Sequence, residues 1–127
     1  MKVLMNEILA FQQFYEKIKD EHFPMKTAYK FMKFFKRVDE ELTFYQKQIV
    51  QISEDYGERD SEGNLVLLED NQSIKIQKEK IEECQKKLDE LLNIETEIDE
   101  ITFSLDELET LNLSLSDLQL IEKFITE

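Results

Sequence analysis

Apolar side chains recur along residues 28–56 at Ala28, Phe31, Phe35, Val38, Leu42, Tyr45, Ile49, Ile52 and Tyr56, in alternating steps of three and four. This is the a/d seam of a helix packed lengthwise against other helices. Neither Gly nor Pro interrupts the run, and Pro24 stands ahead of it, where a missing N–H costs nothing in a first turn. A long helix is therefore predicted over 24–56. A second stripe at Leu4, Ile8, Phe11, Tyr15 and Ile18 predicts a helix over 3–20, closed by the break at Glu21, His22, Phe23 and Pro24. The short connection makes these two helices antiparallel neighbours.

The first helix covers only about half of the long seam. Ile81, Cys84, Leu88 and Leu91 carry matching spacing on a third helix, 77–92, which is expected to pack on the C-terminal half of the long one. Between them, 57–76 holds both glycines, and apolar segments 65–68 and 73–76 flank the turn-like Glu69, Asp70, Asn71 and Gln72, the pattern of a small β-hairpin. In 94–99, Ile94, Thr96 and Ile98 alternate with Glu95, Glu97 and Asp99, which suits a short strand extending that hairpin. Ser104 with Glu107 has capping-box spacing and opens a helix over 104–110. Ser116 with Gln119 repeats the signal for a last helix, 116–126, carrying Leu118, Ile121 and Ile125. The expected architecture is mainly α with a small β-hairpin, one domain over 1–127 built on an antiparallel helical hairpin with a long central helix. One chain covers its own seam, so a monomer suffices and a homodimer is permitted.

Composition narrows the function. Nine Phe and four Tyr in 127 residues separate the chain from disordered acidic tails. A single Cys excludes an internal disulfide and any multi-cysteine metal site, and fits a reducing cytoplasm. The first residues lack the apolar core of a signal peptide, and no run approaches the roughly 18 apolar residues of a membrane span, so no membrane partner is expected. The net charge of −13 is uneven: residues 1–50 carry nine bases against seven acids, and residues 51–127 seven against 22. Direct nucleic-acid binding needs a cationic footprint, which the second half opposes.

The basic residues of the long helix form a row. Lys26, Lys30, Lys33 and Arg37 step by four, three and four on the face opposite Ala28, Phe31 and Phe35, and Phe44 and Lys47 continue it. A cationic face carrying an aromatic can contact an acidic protein or a phosphate backbone. The competing reading is a face that is solvated, or covered by residues 95–127 with their ten acids and one lysine. Glu82 and Glu83 mark an acidic surface on the third helix. Together with Asp55, Glu58, Asp60, Glu62, Asp89, Glu90, Glu95, Glu97 and Asp99 they could imitate nucleic acid.

For a metal, Glu58, Asp60, Glu62, Gly63, Asn64, Leu65 and Glu69 match positions 1, 3, 5, 6, 7, 8 and 12 of an EF-hand loop. Two features depart from it: Glu at position 1 reaches too far, and a hairpin pattern follows where a helix should exit. An acidic solvated turn is the plainer reading, and no metal or cofactor is expected. Catalysis has little to stand on: His22 is the only histidine, Cys84 falls on a buried stripe, and no phosphate loop or nucleophile motif is present. The chain is expected not to be an enzyme.

Several stretches together carry a likeness: Phe23-Pro24-Met25-Lys26-Thr27-Ala28-Tyr29-Lys30, Glu40-Glu41-Leu42-Thr43-Phe44-Tyr45, Tyr56-Gly57-Glu58-Arg59-Asp60 leading to Gly63-Asn64, Ile98-Asp99, Ile101-Thr102-Phe103 and residues 105–109. In these the chain resembles small uncharacterised proteins encoded by bacteriophages and prophages. The resemblance implies a viral origin and the cytoplasm of a bacterial host, and it brings no catalytic residue with it. The expected function is non-catalytic binding of a host or phage protein that inhibits or modulates it. A virion or assembly role is the alternative, and a nucleic-acid mimic the second.

Overall fold

A computed structural model describes residues 1–70 and 73–126. Asn71 and Gln72, expected in the hairpin turn, lie outside the described residues. The protein is mainly α. In chain order it runs β1 (Lys2–Leu4), α1 (Met5–Ile18), α2 (Met25–Tyr56), α3 (Ile81–Leu92), β2 (Glu95–Glu97), β3 (Phe103–Ser104), α4 (Leu105–Leu108), α5 (Leu115–Ile121) and β4 (Ile125–Thr126). Single 3₁₀ turns at Lys78–Lys80 and Glu122–Phe124 lead into α3 and out of α5. No described helix is long and apolar enough to cross a membrane. Where the sequence sets no internal boundary, the structure groups into two compact units: Met1–Leu42 with Glu95–Glu127, and Thr43–Ile94.

In the first unit the chain starts as a strand, not as the first turn of a helix over 3–20. Lys2, Val3 and Leu4 pair antiparallel with Glu97, Thr96 and Glu95. The N-terminal ammonium reaches Glu97 Oε2 at 3.1 Å and the Ile98 carbonyl at 3.0 Å. Strand 94–99 thus forms over Glu95–Glu97 and finds its partner at the N-terminus rather than extending the hairpin. The helix begins one residue after this ladder, where Glu7 Oε1 accepts the Leu4 N–H at 3.1 Å and satisfies a donor the first turn leaves open. The Pro24 carbonyl accepts the Ala28 N–H at 2.9 Å, which places Pro24 at the cap of α2 rather than inside it.

The core of this unit is aromatic. Met5, Ile8, Phe11, Phe14 and Ile18 of α1 are buried, as are Thr27, Phe31, Phe34, Val38 and Leu42 of α2. Ile98, Phe103, Leu108, Leu111, Ile121 and Phe124 close it from the C-terminal segment. Two positions of each stripe differ by one residue from the sequence reading: Met5 and Phe14 are core where Leu4 and Tyr15 were expected, and Thr27 and Phe34 where Ala28 and Phe35 were. The cause is the third layer, since Phe34 packs edge-on against Phe11 at 5.3 Å and Phe124 at 4.9 Å, a partner that local spacing cannot indicate.

The Ser104–Glu107 capping box forms as expected, each side chain bonding the other's backbone N–H at 3.1 Å. The last helix is capped two residues earlier than expected, by Ser114 with Asp117, again reciprocally at 3.1 Å. Ile125, expected on its helical stripe, instead lies in β4, parallel to β3.

In the second unit, α2 ends at Gly57, whose N–H bonds the Ser53 carbonyl at 2.8 Å. A Cβ at Gly57 would stand 2.5 Å from Ser53 O and 2.7 Å from Leu65 Cδ2, so the turn closes only without a side chain. Segment 57–76 is a three-way ladder of isolated antiparallel bridges: Gly57 with Ile76, Arg59 with Leu65, Leu67 with Ile74. Cys84 and Leu91 of α3 are its buried apolar side chains, while Tyr45, Ile49, Ile52 and Tyr56 of α2 stay half-buried.

Candidate functional site

The basic row of α2 divides into two kinds of residue. Lys30 donates to the Thr102 carbonyl at 2.8 Å and to Glu107 Oε1 at 2.8 Å, and its ammonium stands 5.3 Å from the centre of the Phe103 ring. Glu107 also accepts from Thr27 Oγ1 at 2.8 Å while serving the Ser104 cap. Lys30, then the cap and Thr27, hold the Glu107 carboxyl down at about 2, against the smaller upward push of burial. Arg37 bonds the Glu97 carbonyl at 3.1 Å and Thr96 Oγ1 at 3.3 Å and pairs with Glu41. Both residues are internal staples between α2 and the acidic C-terminal segment. Lys26 and Lys33 remain exposed, Lys33 with its ammonium 5.3 Å from the centre of the Tyr29 ring.

In the second unit, Phe44 is 43% exposed and Lys47 exposed on α2. On α3, Glu82 is exposed and Glu83 accepts the Tyr56 hydroxyl at 3.2 Å. Burial pushes the Cys84 thiol up, away from the reactive thiolate. The EF-hand-like residues form a turn satisfied from within. Asp60 Oδ1 accepts the Glu62 and Asn64 N–H groups at 2.9 and 3.0 Å, and the Arg59 guanidinium takes the Gly63 carbonyl at 2.8 Å. Glu58 pairs with Lys75 at 3.4 Å, Glu69 is exposed, and the bridges to 65–67 and 74–76 occupy the place of an exiting helix. Gly63 holds φ of +84°, which suits glycine. Among the described residues, no three or more His, Cys, Asp or Glu are gathered so as to hold a metal ion.

A different feature of the first unit was not singled out from the sequence. Because core packing selects Phe14 and Phe34, the neighbouring members of each apolar stripe, Tyr15 and Phe35, are left beside the core rather than in it. Their rings stand 4.9 Å apart at the edge of an open groove of about 580 Å³ between α1 and α2. Tyr15, Ile18, Phe31, Met32, Phe35 and Leu42 are among its apolar lining. Charged side chains, among them Glu16, Glu21 and Lys36, stand around it. From the groove an apolar ridge continues over the outer face of α2: Met32 is 58% exposed, Tyr29 55% and Met25 87%. The signal lay in the width of the stripes. Phe11, Phe14, Tyr15 and Ile18, and Phe31, Met32, Phe34 and Phe35, form bands two positions wide, more apolar surface than one core face covers.

Compared with known proteins, the chain matches no protein-family model, no curated protein and no solved structure.

Proposed function

We propose that this protein acts without chemistry of its own, by holding another protein, and that the protein held is a host or phage component whose activity it inhibits or modulates. On the expectation of a phage origin, the encounter would take place in the cytoplasm of an infected bacterium. One observation carries the reading: an aromatic groove between α1 and α2 continuous with an exposed Met–Tyr–Met ridge on α2. Contiguous exposed apolar surface bordered by charge is the mark of a contact site for another macromolecule. Aromatic side chains supply large contact area, and flexible methionines adapt to the surface opposite.

The test is capture from phage-infected bacteria with the tagged protein and with Met32→Glu, a change at an exposed position that leaves the core intact. A stoichiometric partner held by the parent, lost from Met32→Glu and kept by Glu82→Lys/Glu83→Lys is expected. The same capture by Met32→Glu would overturn the groove as the site. Recovery of capsid or tail proteins alone would move the reading to particle assembly. Reversal of Lys30 or Arg37 is uninformative about binding, since both hold the fold.

A further inference from the structure

We propose that the open edge of segment 73–77 receives an extended strand of another protein, paired through its backbone and carrying apolar side chains at alternate positions. The site lies within the second unit and shares no residue with the α1–α2 groove, so it stands or falls separately from the reading above.

Segment 73–77 enters two antiparallel bridges, Ile74 with Leu67 and Ile76 with Gly57, and it is bonded along one edge alone. Ser73 O accepts the Leu68 N–H at 2.8 Å, and the Lys75 N–H donates to Val66 O at 2.9 Å. Lys75 O accepts the Glu58 N–H at 2.7 Å, and the Gln77 N–H donates to Tyr56 O at 2.9 Å. These bonds engage residues 73, 75 and 77, whose backbone groups share one side of an extended chain. Those of Ile74 and Ile76 share the other. Among the described residues, neither the N–H nor the C=O of Ile74 or Ile76 has a hydrogen-bond partner. Two donors and two acceptors, spaced as residues i and i+2 of a strand, are left facing outward. No proline guards this edge, and its one charge, Lys75, is taken by Glu58 at 3.4 Å.

Apolar surface stands at the same place. Ile74 and Ile76 line an open groove together with Leu68, 47% exposed, and Ile81, 53% exposed. A strand added to the edge sets every second side chain beside Ile74 and Ile76, over this groove. Backbone pairing then supplies affinity, and the groove selects apolar residues at alternate positions. Charges of both signs surround it, so recognition does not run through charge. A helix has its backbone groups bonded within itself and leaves those of Ile74 and Ile76 unpaired. In a second copy, the two-fold register that joins Ile74 to Ile76 sets Lys75 directly opposite Lys75.

The probe is a labelled peptide of about seven residues, Val alternating with Thr and both ends uncharged, titrated against the full chain by fluorescence anisotropy. A matched peptide N-methylated at its interior amides keeps the side chains and loses the donors. Saturable binding of the first is expected, with the second at least about tenfold weaker. In amide exchange read by NMR, the Ile74 and Ile76 N–H groups should slow at least about tenfold on saturation. Leu68→Ser/Ile81→Ser, at two exposed positions, should weaken binding by about tenfold or more while keeping the parent's melting temperature. Met32→Glu should leave it unchanged. No saturable binding up to about 1 mM overturns the proposal. So does equal binding of the two peptides, or unchanged exchange at Ile74 and Ile76. Sedimentation as a dimer that Leu68→Ser/Ile81→Ser dissolves would give the edge to a second copy and overturn the partner strand. If the peptide fails while the captured partner is still lost from Met32→Glu, the edge falls and the α1–α2 groove stands. If the peptide binds while the captured partner survives Met32→Glu, the groove falls and the edge stands.

Discussion

Around Phe11, three aromatic rings meet edge to face: Phe34 at 5.3 Å, Phe124 at 5.6 Å, and these two at 4.9 Å from each other. Among the described residues nothing comparable holds the unit formed by Thr43–Ile94, where Cys84 and Leu91 are the buried apolar side chains. Yet α2 runs through both units, with apolar steps as regular after Leu42 as before it. Periodicity sets which face of a helix turns inward; it does not set how deep that face lies. In the first unit α1 and the C-terminal segment close on α2 from different sides, and Phe31, Phe34 and Val38 leave water almost entirely. In the second, α3 and a bridged loop leave Tyr45, Ile49 and Ile52 half-buried. Stabilisation follows the apolar area removed from water, so the first unit should hold the fold and the second should open more readily.

The largest expected effect tests the aromatic cluster. Phe11→Ala removes the ring shared by two edge contacts and should cost about 3–5 kcal/mol in urea unfolding; a loss below about 2 kcal/mol would mean that the cluster does not anchor the unit. Leu91→Ala should cost about 2–3 kcal/mol, and hydrogen exchange should show where. Amides of 43–94 should lose protection while those of α1 keep theirs; equal loss in both would erase the distinction between the units. Gly57→Ala should destabilise by about 1–3 kcal/mol through the close approach of Ser53 O, Leu65 and Ile74, again within the second unit.

Smallest is an acid-sensitive staple. Glu107 sits well below its ordinary 4.5, at about 2, so the folded state binds its proton less readily than the unfolded chain. Its contribution is fully present above pH 4.5 and is lost as pH falls through about 2. Asp117, lowered first by Lys17 and then by the Ser114 cap, acts in the same direction. Glu107→Gln should cost about 1–2 kcal/mol at pH 7, with the gap to the parent closing below pH 4.5. A gap that is constant from pH 7 to pH 2 would show that the carboxylate charge contributes nothing.

The helices were legible because each rests on a local rule. The Ser104–Glu107 box is a spacing that bonds within one turn, and it formed. The choice between Ser114–Asp117 and Ser116–Gln119 was less legible. Both spacings can cap, but only Asp117 also receives Lys17, at 2.8 Å from α1. Of the binding candidates, the basic row was visible, and so was the prospect that acidic residues 95–127 would cover it. Which lysines would be covered was not, because Glu107 and the Glu97 carbonyl reach Lys30 and Arg37 from elements some 60 to 77 positions away. The groove escaped because it consists of what core packing leaves over, and no spacing marks a leftover.

By itself, then, the sequence determined the helical class, the long seam, the breaks at Pro24 and Gly57 and the excess of acid, since each of these follows from bonds, turns and charges within a few residues. Only the tertiary structure decided that residues 2–4 are a strand, that Phe14 and Phe34 are core while Tyr15 and Phe35 line a groove, and that Lys30 and Arg37 are staples while Lys26 and Lys33 stay exposed. Those outcomes depend on which distant segment arrives to fill a face. Two adjacent apolar positions on a helix are nearly equivalent until a third layer of side chains makes one of them the interior.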